Sequence, residues 1–484
     1  MSSKNVMSNF IWRFAERSGA QVVQLIVSIV LARLLEPEVY GTIALITVII
    51  TILNVFVDSG LGSALIQKKD TDSTDFSTVF YFNMCICIIL YIALFIFSPY
   101  IAKYYKDIKL TKVIRVLGLT IVISGVKNIQ QAYVSKTLQF KKFFFSTLGG
   151  TIGAAIIGVW MAYQGFGVWA LVFQQLFNTL VDTLILWITV KWRPKKEFSF
   201  NKLKQLFSYG WKLLASALLE TIYANTRQLI IGKMYTPSDL AFYNRGEQFP
   251  NLIIANVNTS IDSVLLPTMS QVQDNIYRLK AMTRRAIKTS TYIMAPLMMG
   301  LAFCSKTIVK LILTEKWIAC VPFMHIFCIT SMFYPMHTAN LNALKAMGRS
   351  DLFLKLEIIK KIVGIILLFS TMWFGVMAMA YSLLISSVLC QIINTWPNRK
   401  LLDYGYFEQL RDIIPSISLA IVMGICILPI QWVGISDLLK LIIQITLGAI
   451  IYILGSKLFK FESFEYLSSM VKIYLQNSIV NIYK

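Results

Sequence analysis

The chain has little charge. Only 14% of its 484 residues are Asp, Glu, Lys or Arg, against 56% hydrophobic. A soluble chain of this length would need polar faces on several domains. Histidine is nearly absent: there are two, His325 and His337. Their spacing corresponds to a rotation of about 120° on a helix, which rules out a metal pair and leaves them as helix-packing or pore-facing groups. The seven cysteines, Cys85, Cys87, Cys304, Cys320, Cys328, Cys390 and Cys426, fall mostly inside apolar runs. None has zinc or redox spacing, so they read as small buried apolar residues. There is no Walker lysine loop, so no ATP hydrolysis is expected. No Ser-His-Asp, zinc-binding or paired-carboxylate pattern stands out, so we expect no cofactor, no metal and no enzyme activity. Long polar loops are lacking too. The longest, near 191–206 and 271–288, are too short for a tethered catalytic domain, which also argues against a membrane polymerase or glycosyltransferase with a large exterior loop. Strand-like alternation is missing, which excludes a β-barrel. A cleavable signal peptide is not expected, because the first apolar run is long, carries Arg13, Glu16 and Arg17 and has no small-residue cleavage site after it.

What the chain does have is apolar runs. Mean hydropathy is +0.65, and runs of about 20 residues, enough to cross a bilayer, recur along nearly the whole length. There are about fourteen, near 11–34, 39–66, 79–101, 113–133, 143–163, 168–190, 209–232, 240–268, 289–313, 320–344, 353–373, 376–396, 413–432 and 437–457. The expected fold is an all-α polytopic membrane protein. Lys/Arg bias orients it. Lys191, Arg193, Lys195, Lys196, Lys202 and Lys204 fill one loop, and Arg278, Lys280, Arg284, Arg285 and Lys288 another. Shorter loops and the tail on the same side are also basic, so this face and both termini are expected to be cytoplasmic. One exterior loop breaks the rule with Lys103, Lys106, Lys109 and Lys112. The net charge of +22 then reflects membrane orientation and attraction to anionic lipid. Nucleic-acid binding is not expected, since no soluble basic domain exists.

The chain also repeats itself. Placing Pro37 on Pro237 sets Arg33 opposite Lys233, and a four-residue shift sets Thr47, Asn54 and Asp58 on Asn251, Asn258 and Asp262. Both trios keep one helical face at about 100° per residue. Two equivalent membrane halves with polar residues inside apolar helices is the build of a secondary transporter. The expected organisation is a six-helix lobe at 1–190, a basic cytoplasmic linker at 191–206, a second six-helix lobe at 207–400, and two additional helices with a cytoplasmic tail at 401–484.

Ionisable groups within a bilayer are costly and tend to face a bundle interior or a water-filled cavity. In the first helix Arg13, Arg17, Gln21 and Gln24 share an arc of about 80°. The arginines can also be read as snorkelling cytoplasmic anchors, but the glutamines lie too deep for that. In the seventh, Lys212, Glu220 and Arg227 share a similar arc of about 80°, as a cavity lining or a structural ion pair. Lys127, with Asn128, Gln130 and Gln131, makes the fourth helix polar. Asp58, Asp182 and Asp262 are candidates for ion coupling or for a helix break. Asp58 precedes Ser59-Gly60-Leu61-Gly62-Ser63, a run that allows close packing or a broken helix.

Ala32-Arg33-Leu34-Leu35-Glu36-Pro37-Glu38-Val39-Tyr40-Gly41 resembles the first turn of bacterial polysaccharide-export flippases, and Asp58 through Gln67 resembles the end of their second helix. Gly165 through Leu171 followed by Trp192-Arg193-Pro194, Ile230-Ile231-Gly232-Lys233 with Tyr243-Asn244-Arg245, and Asn340-Leu341 through Leu352 extend the likeness. These runs are similar to the Wzx-like, lipopolysaccharide-biosynthesis branch of the multidrug/oligosaccharidyl-lipid/polysaccharide exporter superfamily. The resemblance implies fourteen helices in a bacterial inner membrane. It also implies alternating-access translocation of undecaprenyl-pyrophosphate-linked oligosaccharide, for O-antigen, capsule or exopolysaccharide. Membrane lipid, a polysaccharide polymerase and glycosyltransferases are the implied partners. Many members carry an acidic residue where this chain has Arg227, which turns the expectation there from a cation to an anion. Arg13, Arg17, Lys127, Lys212 and Arg227 would then neutralise pyrophosphate, with Gln21, Gln24 and Glu220 beside them. A cation-coupled multidrug antiporter of the same superfamily and a non-transporting scaffold for glycan synthesis are the alternatives.

Overall fold

The computed structural model describes the backbone of residues 3–58, 60–470 and 472, and the side chains of residues 12, 15, 16 and 18–472 apart from 59, 259 and 471. Among the described residues there is no strand. In lipid a helix satisfies its own backbone groups, so long apolar runs take that form. By packing the chain divides into two compact units, Met1–Ala241 and Phe242–Lys484.

The first unit holds α1 (Ser3–Leu34), α2 (Pro37–Asp58), α3 (Leu61–Gln67), α4 (Ser73–Tyr105), α5 (Lys109–Leu117), α6 (Leu119–Lys136), α7 (Lys141–Tyr163), α8 (Val168–Thr189) and α9 (Phe200–Met234). Pro37 opens α2, where its fixed φ suits a first helical turn. Gly41, one turn on, lies so close to Pro237 that a Cβ there would sit 1.6 Å from the proline carbonyl oxygen. α4 starts on a capping box: Asp72 accepts from the Asp75 N–H at 2.8 Å and Asp75 accepts from the Asp72 N–H at 3.1 Å. The linker after α8 is tied to that same end. The Lys195 N–H donates to Ser77 Oγ at 3.0 Å, the Ser199 N–H donates to Thr78 Oγ1 at 3.1 Å, and Thr74 donates to Glu197 at 2.6 Å. Lys202 donates to Asp72, and this bond holds the Asp72 carboxyl below the usual carboxylate range. The helix α9 begins at Phe200, within the segment the sequence marks as linker, because Ser199 caps it by accepting from the Lys202 N–H. α9 packs on α2, α3 and α4 in the first unit, although the repeat assigns it to the second lobe. The core here is built from Leu61, Leu65, Phe76, Phe80, Ile129 and Trp192 with their neighbours.

Chain order continues with α10 (Pro237–Ser270), which starts in the first unit, then α11 (Ile276–Ile312), α12 (Val321–Met332), α13 (Tyr334–Ala346), α14 (Ser350–Thr371), α15 (Val376–Leu401), α16 (Tyr406–Ile427) and α17 (Asp437–Leu458). α11 carries most of the second unit, packing on α12, α13, α16 and α17. A buried amide cluster ties α13, α15 and α16. Asn340 donates to Gln409 at 2.8 Å, Gln409 donates back to the Asn340 side-chain oxygen at 3.0 Å, and Asn398 donates to that oxygen at 2.7 Å. Buried amides are tolerated when they satisfy one another.

Each expected span coincides with a helical stretch. Ten of these, among the described residues, are long and apolar enough to cross a membrane. Outside those ten lie α1, of which Ser18–Leu34 is an apolar stretch within the described residues, the α5–α6 pair, α9 and α14. Three of those stretches carry polar residues that the sequence singles out: Gln21 and Gln24 on α1, Lys127 and Asn128 on α6, and Lys212, Glu220 and Arg227 on α9.

Candidate functional site

The side chains of Arg13 and Arg17 lie outside the described residues. Gln21 and Gln24, on the same helix, are exposed. α1 is held by α7, and Thr147 of α7 donates to the buried Glu16 at 3.3 Å. On α9 the only buried residues are Leu203, Leu206, Gly210 and Ile231. Lys212 and Glu220 are therefore exposed, and Arg227 is half-buried. A polar side chain exposed in the middle of a spanning helix meets either lipid, at a cost of a few kcal/mol, or water.

Lys127 is placed differently. It donates to Asp182 of α8 at 2.9 Å, with both side chains mostly buried. Its charge is engaged by a carboxylate that the sequence lists among the ion-coupling candidates. The other Asp182 oxygen is buried without a partner. Removing one member of a buried pair leaves an uncompensated charge, whereas removing both can be neutral. We therefore expect Lys127→Ala to cost about 3–5 kcal/mol of stability, and Lys127→Met combined with Asp182→Leu to recover most of it. Thermal unfolding in detergent measures this. Equal loss in the single and double variants would show that the pair is not structural.

Asp58 ends α2. Gly60 follows at a φ of +65° and α3 begins at Leu61. The break depends on glycine both for that φ and for space, since a Cβ on Gly60 would sit 2.3 Å from the Gly210 carbonyl oxygen. α8 and α10 run unbroken through Asp182 and Asp262. Ser263 and Val264 follow Asp262 where Asp58 has Ser59 and Gly60, so no glycine is present to turn the chain. The helix-break reading therefore describes Asp58 and not the other two.

The two repeat-related aspartates share a partner type that the sequence reading missed. Asn128 of α6 donates to Asp58 at 2.8 Å in the first unit. Asn342 of α13 donates to Asp262 at 2.6 Å in the second. The signal was available: Asn128 and Asn342 are related by nearly the same offset as Asp58 and Asp262, slipped by a further ten positions. Asn258, one turn before Asp262, accepts from Thr338 at 2.8 Å. The histidines each have a partner inside the second unit, His325 with Ser305 at 2.8 Å and His337 with Asn394 at 2.9 Å.

The first unit thus gathers Asp58, Asn128, Lys127 and Asp182 on adjoining helices and carries Lys212, Glu220 and Arg227 along α9. Nothing in these contacts joins Lys127 to the α9 residues. Along α9 this leaves exposed Lys212 and Glu220 and half-buried Arg227, charges of both signs on one helix.

Known proteins agree with this architecture. Residues 30–322 match the family of polysaccharide biosynthesis proteins. The chain is 23% identical over 472 residues to the teichuronic acid biosynthesis protein TuaB of Bacillus subtilis (strain 168), covering 93% of this chain and 95% of that protein. It is 22% identical over 350 residues to the succinoglycan biosynthesis transport protein ExoT of Rhizobium meliloti (strain 1021), covering 72% of this chain and 71% of that one. Among solved structures, the lipid II flippase MurJ in an inward closed conformation superposes with a TM-score of 0.75 at 15% identity, covering 93% of this chain and 98% of that chain. At that identity the fold alone is shared. Since the family match spans more than half of the sequence, the chain belongs to the polysaccharide biosynthesis protein family, and its fold is that of the lipid II flippase MurJ.

Proposed function

We propose that this polysaccharide-biosynthesis transporter moves undecaprenyl-pyrophosphate-linked oligosaccharide units across the bacterial cytoplasmic membrane by alternating access. The observation that carries the reading is the exposure of Gln21, Gln24, Lys212 and Glu220 partway along two helices of an otherwise apolar chain. Such residues belong against water and a polar cargo. Arg13, Arg17, Lys212 and Arg227 meet the pyrophosphate, and a guanidinium suits that group better than an ammonium because its fork matches two phosphate oxygens. Gln21 and Gln24 meet the glycan, while the prenyl tail stays in lipid. The likeness to a teichuronic acid biosynthesis protein and a succinoglycan biosynthesis transport protein supports this cargo class. Reconstituted vesicles given a fluorescent lipid-linked oligosaccharide on one side test it. Time-dependent, protein-dependent loss of accessibility to an external glycan-cleaving reagent is the expected result. Movement of cationic drugs with no movement of the lipid-linked glycan would favour the antiporter alternative, and movement of neither would favour the scaffold.

The transporter reading carries an orientation: all fourteen stretches cross, both termini are cytoplasmic, and the turns at 35–38 and 234–239 are external. Single-cysteine labelling in a chain lacking the seven native cysteines checks it. An impermeant maleimide added to intact cells should label a cysteine at position 36 and not one at 202. The reverse pattern would invert the protein in the membrane.

A further inference from the structure

Several basic residues on the cytoplasmic side pair with carboxylates of the chain. Lys68 pairs with Asp75, Lys202 with Asp72, Arg284 with Asp412, Lys288 with Glu462 and Arg349 with Asp351. Four lysines break the orientation rule and lie together on the other side. Lys103, Lys106, Lys109 and Lys112 are all exposed, and none pairs with a carboxylate among the described residues. They cluster where α4 turns into α5. Lys103 is in the last turn of α4, Lys106 is at its left-handed end with φ +59°, and Lys109 and Lys112 share one face of α5. The opposite face of α5 buries Leu110, Val113, Ile114 and Leu117, so the short helix is pinned with its lysines outward. Asp107, in the turn itself, accepts the Lys109 N–H at 2.9 Å.

Apolar groups surround the lysines on the same corner. Ile108 is 88% exposed, Tyr100 68% and Tyr104 57%. Lys233, at the end of α9, stands 3.7 Å from the centre of the Tyr104 ring and donates to the Tyr104 carbonyl, which adds a fifth positive charge. Tyrosine and exposed aliphatic groups beside lysine, at the end of an apolar span, mark the level of lipid headgroups. Unpaired exterior lysines work against the charge bias that inserts the protein, so this corner needs an anion to neutralise it. Lysine binds phosphate as a mobile point charge and without the fixed fork of arginine, which suits a headgroup that exchanges.

We propose that Lys103, Lys106, Lys109 and Lys112, with Tyr100, Tyr104 and Ile108, form an outer-leaflet site for the phosphodiester headgroup of an anionic phospholipid. The leaflet rests on the orientation proposed above; the lipid preference does not. The test uses the full-length chain without native cysteines, carrying Ile108→Cys labelled with bimane and reconstituted in phosphatidylcholine vesicles. Headgroup-spin-labelled phosphatidylglycerol or phosphatidylcholine is then added as quencher. The expected result is quenching by the glycerol lipid with an apparent preference of about fivefold, falling to about one when all four lysines become Gln and when salt is raised to about 1 M. Replacing them with Arg, which keeps the charge, should retain the preference. Equal quenching by both lipids in the starting protein would overturn the proposal, as would a preference that survives the Gln variant. Displacement of the quencher by equimolar undecaprenyl pyrophosphate would overturn the phospholipid assignment and make the corner part of the cargo path. Impermeant labelling of the same Ile108→Cys chain in cells reports the side independently, so an inverted orientation is distinguished from a missing lipid site.

Discussion

Arg227→Ala should reduce transport of a lipid-linked oligosaccharide by about ten- to a hundredfold, the range set by losing one charge-assisted contact of about 1.5–3 kcal/mol. Arg227 is half-buried on α9, the helix that leaves Lys212 and Glu220 exposed. It lies two turns beyond Glu220 on the same face, and in the proposed site the acid orients the guanidinium and limits how tightly it holds the cargo. Arg227→Lys keeps the charge but not the two-pronged geometry, so it should retain partial transport. Glu220→Gln should leave the cargo bound more tightly and slow its release. The competing account is that Arg227 only joins helices, and it has interactions of its own to lose. Membrane abundance separates the two. Normal abundance with lost transport supports the site. Normal transport in Arg227→Ala would refute it, and disappearance of the protein would make the residue structural.

The second large effect concerns folding. Gly41→Ala should lower stability by about 4 kcal/mol or more and remove most of the protein from the membrane. Alanine is the better helix former by about 1 kcal/mol, so propensity alone favours the substitution. Packing decides against it. The added Cβ would meet the Pro237 carbonyl oxygen at 1.6 Å, the carbonyl carbon at 2.3 Å and the Pro237 Cα at 2.8 Å. All three are backbone atoms and cannot rotate away, so one helix start has to move. Gly434 has nothing within 4 Å of its Cβ position, and Gly434→Ala should stay within about 0.5 kcal/mol of the parent. Equal yields for the two variants, by quantitative blot and thermal unfolding in detergent, would contradict this account of the turn.

Much of the molecule was legible in the chain. Span positions follow from apolar run length, because lipid leaves the backbone no other way to satisfy itself. The end of α2 at Asp58 was signalled by Ser59-Gly60-Leu61-Gly62, since glycine admits the positive φ that a β-carbon resists. The polar positions on α1, α6 and α9 were visible in the sequence as polar residues within apolar runs. Partners were harder. Lys127 and Asp182 are 55 positions apart and Asn128 and Asp58 are 70 apart, and no local period relates residues at such separations. Lys127 looked like a free cation until its neighbour on α8 was known.

The sequence by itself determined that this protein is an all-helical membrane protein, roughly where its apolar spans lie, and that its chain repeats around Pro37 and Pro237, while helix starts such as Phe200 and Ile276 fell inside segments it read as loops. These depend on properties that each residue carries alone or over one or two turns: transfer free energy, helical period and backbone freedom. Only the tertiary structure decided that Asp58 and Asp262 each bind an asparagine, that Lys127 pairs with Asp182, that residues 195–199 are tied to the start of α4, and that Lys103, Lys106, Lys109 and Lys112 have no carboxylate partner among the described residues. These outcomes depend on which helix faces lie together. Many packings satisfy the same apolar pattern, and only one of them brings each charge to its partner.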